Sequence, residues 1–289
     1  MTRKEKIKSI IENKNEMIAI KKLAMKFSDS FNVVPKIYKH ESANKSELPQ
    51  DTEDKIYRTI IANTYNYMDS HDDVHVKGVF TKTIRETKKL FLLHDHKFET
   101  TAQTGNIIKS YEHDGAWKDF GLDISGSTTA LLQDVEIVKS FNPSVFDKYK
   151  NGDIDQHSVG MMYEKIALAV DDITDKDGYA LYTSILPTLG NADKAAEQGY
   201  FFVVSEARLR ETSCVLMASN DLTGIYNSNK QVENIDEMQK MFDEIFKNVE
   251  NKELIYNICN KFVDTFKASS RENHSLVDKK PSFFELIGK

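Results

Sequence analysis

A serine hydroxyl becomes a nucleophile when a histidine takes its proton and an acid orients that histidine. The chain carries the residue types for such a set. Ser158 sits in Gln156-His157-Ser158-Val159-Gly160-Met161-Met162-Tyr163, after the turn-like Asn151-Gly152-Asp153-Ile154-Asp155 and before an apolar run that extends to Val170. Gly152 can supply a positive φ in that turn. A serine at the mouth of a buried strand is held rigidly and can still face a cleft. His94 closes a short apolar strand at 89–93, and Glu211 lies inside a further strand, Arg208 to Met217. Strand ends at one edge of a sheet can converge whatever their separation in the chain. His157 and His96 compete with His94 as base, and Glu206 competes with Glu211 as acid. His157 adjoins Ser158 and is expected to point to the opposite face of a strand. Glu206 stands at an odd offset from Glu211, so only one of them shares the face unless a bulge intervenes.

A second chemistry is metal binding. His94 and His96 flank Asp95, and His71, Asp73 and His75 repeat the alternation. Such pairs can point two rings the same way on a strand, although a catalytic zinc needs three ligands and an open position. On periodicity and spacing alone, the plainest reading is a turn serine and loop histidines with no chemistry at all.

The elements that must position these residues can be read from composition. Residues 1–28 are lysine-rich with isoleucines and methionines at helical spacing, and polar residues 40–54 resemble a linker. β-Branched and aromatic residues dominate 56–68, as in a strand. A helix is expected from Phe80, and strands at 106–111 and 120–124, with 125–129 a small-residue loop. Pro143 near its start marks a helix over 142–150. Strands follow at 163–170 and 200–205, separated by an irregular stretch at 180–200. Asn234 and Glu237 open helical spacing that runs to Phe266. Three parts are expected: an N-terminal helix and linker (1–54), a main domain (55–228) and a C-terminal helical appendage (229–289).

The 289 residues are 40% hydrophobic, enough for a substantial core, and carry a net charge of −6, which speaks against a general nucleic-acid binder. Cys214 and Cys259 are the only cysteines, so a cysteine-based zinc site is excluded and a reduced compartment is expected. No apolar run reaches membrane-spanning length and the N-terminus lacks a secretory apolar core. A soluble, cytoplasmic protein without membrane or nucleic-acid partners is the expectation.

Four blocks, in order, resemble the tailed-phage prohead maturation proteases. Asp72-Asp73-Val74-His75-Val76-Lys77-Gly78-Val79-Phe80 is similar to their "gly-asp-val-val-x-x-gly-ala-phe" block. Leu92-Leu93-His94-Asp95 resembles "leu-x-his-asp", and Gly152 to Met161 resembles "gly-x-ile-x-x-x-ser-ile-gly-phe". Glu211 to Asn220 resembles "glu-val-ser-leu-val-ser-x-pro-ala-asn". The likeness spans roughly residues 56–225. It departs at Ala102-Gln103-Thr104-Gly105, where the family has a proline-isoleucine-glycine, and at Ala218-Ser219, where it often has proline-alanine.

What the resemblance implies is a serine endopeptidase of capsid maturation, with Ser158 as nucleophile, His94 as general base and Glu211 orienting the histidine. The implied fold is α+β: a closed, mostly antiparallel β-barrel of herpesvirus-assemblin type with packed helices, extended here by N- and C-terminal helices. Its substrates would be scaffold or the major capsid protein's scaffolding segment, and in many relatives the enzyme itself. It would act in the host cytoplasm during assembly, inside the viral procapsid. No cofactor or metal is implied, and the oligomeric state is left open. The rival readings are a silent scaffold or minor head protein on the same fold, and a histidine-ligated metal hydrolase.

Overall fold

The computed structural model describes residues 2–24, 48–87 and 89–226. The chain falls into two units, Met1–Ser228 and Asn229–Lys289. The expected C-terminal appendage lies outside the described residues, as does the stretch 25–47 that contains most of the expected linker.

Thr2 opens the first helix with a reciprocal capping box to Glu5, and α1 (Arg3–Glu12) hands over at Asn13 to α2 (Lys14–Leu23). In place of the one expected helix there are therefore two. They lay Ile7, Ile10, Ile11, Met17 and Ile18 over Leu168, Val170, Tyr200 and Phe202 of the sheet. Their cations meet acids of the body: Arg3 with Asp171, Lys14 with Asp175, and Lys21 with Asp73.

The body is one eight-stranded sheet: β1 (Lys55–Thr64), β2 (Asp73–His75), β3 (Phe91–His94), β4 (Gln103–Ala116), β5 (Ser127–Val138), β6 (Gln156–Val170), β7 (Tyr200–Val215) and β8 (Ile225–Tyr226). The path runs β2-β7-β3-β4-β5-β1-β8, with β6 on the other edge of β7. Most pairings are antiparallel, but β2 and β3 both join β7 in parallel. The sheet does not close, which corrects the expected closed barrel. Toward β6, the residues just before β8 contribute a hydrogen bond from His157 N–H to the Thr223 carbonyl without a paired strand, while Ile61 N–H to the Gly224 carbonyl extends the β1–β8 pair.

Between the strands, α3 (Thr81–Glu86) follows the Phe80 entry. α4 (Pro143–Asn151) is capped by the Asn142 side chain and ended by left-handed Gly152. Two short helices, α5 (Lys176–Ile185) and α6 (Ala192–Gln198), occupy the region expected to be irregular. Residues 117–120 form a 3₁₀ turn stopped by Gly121 at φ 91°, not the start of a strand. The expected loop at 125–129 is largely the start of β5, buried without alternation from Thr128 to Gln133. A strand covered on both faces loses its period-two signature, and small threonines then read as loop.

Candidate active site

β7 is the axis of the site. Its sixteen residues pair with β6 on one edge and with β3 on the other. Across these three strands Leu93, Ser213 and Ser158 form one row, and Phe91, Glu211 and Gly160 form the next. Paired residues share a face, with Cβ atoms of an antiparallel pair about 4.5–5.5 Å apart. Ser158 therefore faces the same way as Ser213 and Glu211, one cross-strand step from Ser213. Ser158, expected at the mouth of a strand, is the third residue of β6, which begins at Gln156.

His94 belongs to a different row. It pairs with Cys214, and Cys214 pairs with His157, so these three occupy the face opposite Ser158. The His94 ring meets its neighbour Asp95 at 3.1 Å between Nδ1 and Oδ2. The register does not bring His94 and Ser158 together. The histidine that reaches the Ser158 face is His96.

Local backbone geometry explains the exchange. Asp95 and His96 follow the strand end with φ 51° and 53°. Lys97 N–H bonds to the His94 carbonyl at 3.2 Å, closing a four-residue turn around these two left-handed residues. Asp and His are among the residues that tolerate this region, at some cost in strain. The turn carries the His96 backbone over Ser213, whose Oγ accepts the His96 N–H at 3.1 Å. The His96 ring then reaches Glu211, with Nδ1 2.6 Å from Oε1, while Ser213 Oγ–H donates to Oε2 at 2.6 Å. Both charge-bearing side chains are covered: His96 is 6% exposed and Glu211 is 0% exposed. A carboxylate only accepts, so Nδ1 carries the proton that fills this bond, and in the neutral ring Nε2 holds the lone pair. That is the tautomer a general base needs.

Gly160 makes room for this arrangement. A Cβ built there would stand 2.2 Å from Glu211 Oε1, so the carboxylate lies directly over the glycine. A residue of any other kind would push the acid off His96.

The rival residues are placed elsewhere. His157 is buried on the opposite face, with Nδ1 3.1 Å from the Thr223 carbonyl and Nε2 2.9 Å from the Tyr149 hydroxyl. Burial pulls its pKa down to about 4, partly offset by the Thr223 carbonyl. It is a neutral structural histidine. Burial likewise raises the neighbouring Cys214 thiol to about 12, so it stays protonated. Glu206 is ion-paired with Lys165 at 2.6 Å and with Lys82 at 3.5 Å. The bulges in β6–β7 between it and Glu211 break the simple odd–even argument, and its ion pairs decide the matter.

The histidine alternations do not assemble into a metal centre. Asp73 receives Lys21 Nζ at 2.5 Å and the Tyr163 hydroxyl at 2.6 Å, and His75 Nδ1 lies 3.3 Å from the Asn63 amide. Among the described residues, no three or more His, Cys, Asp or Glu side chains are grouped to hold a metal ion. Beneath Asp73, buried Asp69 has its carboxyl raised to about 8 by burial and by the Asp73 charge.

Comparison with protein-family models, with curated proteins and with solved structures finds no match to this chain.

Two participants are hidden in the sequence. His96 ranks behind His94 there, because a straight strand gives no sign that the chain turns at Asp95. Ser213 draws no notice, although Glu211-Thr212-Ser213 on a strand already places acid and hydroxyl on one face.

Proposed function

We propose that the chain is a serine endopeptidase of the prohead-maturation type, acting on scaffold or on the scaffolding segment of a capsid protein. Ser158 is the nucleophile and Glu211 the orienting acid, as the resemblance implies. The base is His96 in place of His94. The observation that carries this reading is the buried Nδ1–carboxylate contact between His96 and Glu211, on the sheet face that carries Ser158 and one row from it. A histidine so held presents Nε2 as acceptor and is stabilised as imidazolium once protonated. His96 takes the Ser158 proton as the hydroxyl adds to a peptide carbonyl, and returns it to the leaving amine. Water repeats the exchange to release the acyl group. Ser213 holds both partners, bonding the His96 backbone and the Glu211 carboxylate.

A serine-directed fluorophosphonate probe tests the assignment residue by residue. Labelling is expected for the native protein, lost in Ser158→Ala, lost in His96→Ala and retained in His94→Ala. Labelling that survives Ser158→Ala, or peptide cleavage abolished by a chelator and restored by zinc, refutes the serine mechanism. Loss in His94→Ala with retention in His96→Ala returns the base to His94.

A further inference from the structure

The face that carries Ser158 is edged by part-exposed apolar side chains and by exposed cations without an ion pair among the described residues. Phe91, the β3 partner of Glu211, is 41% exposed, and Met162, one alternation beyond Gly160 on β6, is 38% exposed. Phe91 ends the row that holds the acid and carries Lys89 Nζ 5.0 Å over its ring, and Met162 stands two residues beyond that row on β6. Just beyond it, β7 carries one extra residue: Glu211 pairs with Gly160 and Leu209 with Met161, which leaves Arg210 as the bulge. Bulges beside active sites re-aim a side chain out of the ladder. Leu209 is in the core, whereas Arg210 is exposed. Its neighbours are occupied, Arg208 with Glu164 and Glu206 with Lys82 and Lys165. Arg210 takes up no such pair among the described residues. A groove of about 270 Å³ farther along the strands is lined by Lys82, Glu86, Glu164, Glu206 and Arg208, most of them in those same pairs. Arg210 is thus a charge that the bulge presents to an external partner, with Lys89 on the Phe91 ring a second cation at this edge.

Resting on the endopeptidase reading above, we infer that this surface selects the substrate: an extended peptide that places a large apolar side chain against Met162 and a carboxylate side chain on Arg210. Arg210 lies two to three residues along β7 from the Ser158–Ser213 row. A strand rises about 3.3 Å per residue, so the acidic side chain belongs two or three positions from the scissile bond. Arg offers a forked donor set suited to a carboxylate. An exposed pair of this kind is worth roughly a fivefold preference at low salt, and less as salt is raised.

Fluorogenic peptide libraries cleaved by the full chain test the inference. The reading is the ratio of kcat/KM for Glu over Lys at each position around the cleaved bond, which cancels any general loss of activity. The native protein is expected to favour Glu at one position two or three residues from the bond. Arg210→Glu is expected to invert that ratio, Arg210→Ala to bring it near one, and Met162→Lys to lower the preference for apolar residues. A ratio unchanged in Arg210→Glu, in a protein that still cleaves, overturns the inference and leaves the protease reading intact. A native protein that cleaves no peptide and whose Ser158 takes no fluorophosphonate overturns both.

Discussion

Gly160→Ala isolates the contact on which the site depends. The added methyl would sit 2.2 Å from Glu211 Oε1 and 3.0 Å from the carboxyl carbon, where ordinary contact begins beyond 3.4 Å. The obstacle is a side-chain end, so it moves, but only by leaving the 2.6 Å bonds to His96 and Ser213. The glycine has no positive φ, so alanine would otherwise gain about 0.5–1 kcal/mol from reduced chain entropy. Against this stands a buried carboxylate deprived of its partners, which costs about 3–5 kcal/mol. Net destabilisation of about 2–4 kcal/mol follows. The histidine loses the acid that fixes its tautomer, for which serine proteases show losses of about 10⁴-fold in kcat. Two assays read the result: thermal unfolding, and the rate of fluorophosphonate labelling at Ser158. The control is Glu211→Ala, which removes the colliding atoms. If the damage runs through the carboxylate, Gly160→Ala carries no cost in the Glu211→Ala background and shows only the gain of about 0.5–1 kcal/mol from chain entropy. Equal costs in both backgrounds, or native stability and labelling in Gly160→Ala, would refute the reasoning.

Three further outcomes are expected. His157 has a folded pKa lowered to about 4 from 6.5, so the stability it contributes is present above 6.5 and lost as pH falls through that window. The loss amounts to about 3 kcal/mol, and urea titrations from pH 7 to pH 4 should show it shrink in His157→Gln. Asp69 acts in the opposite sense, its raised carboxyl favouring the fold at lower pH, so the difference between the two proteins is the quantity to read. Lys21→Met takes the cation away from the buried Asp73 carboxylate, which keeps the Tyr163 hydroxyl and lies beside Asp69. A loss of about 3 kcal/mol should lower Tm by roughly 6–12 °C in calorimetry. At Asp95, whose φ is 51°, glycine should preserve Ser158 labelling. Valine there should cost about 1–2 kcal/mol and slow labelling by drawing His96 off Glu211, and equal labelling of the two variants would contradict the turn's role.

What the sequence discloses, and what it hides, divides along a physical line. Local signals survive. Asn142 and Pro143 begin α4 and Gly152 ends it, and the apolar runs before His94 and after Ser158 become β3 and β6. Signals that depend on burial of both faces do not survive, which is why β5 reads in part as a loop and why the sheet's failure to close leaves no trace in the pattern. The site shows the same division at the scale of one residue. Ser158, Gly160, Glu211 and Ser213 lie on extended strands, where period-two alternation converts spacing into facing, and their common face follows from number alone. His94 and His96 also differ by two, and the same rule would give them one face. The rule fails because the strand ends between them: two consecutive left-handed residues reverse the chain, leaving His94 beside Cys214 and delivering His96 to Glu211. Nothing in Leu-His-Asp-His announces that turn, since neither residue is a glycine and both can serve in a strand. The energetic reason is nonlocal. A buried Glu211 needs a charged or polar donor, Ser213 supplies one, and His96 can supply the second only by accepting a strained backbone. The glycine opposite Glu211 is the one residue whose identity, paired with a glutamate on a facing strand, carries that demand in the sequence itself.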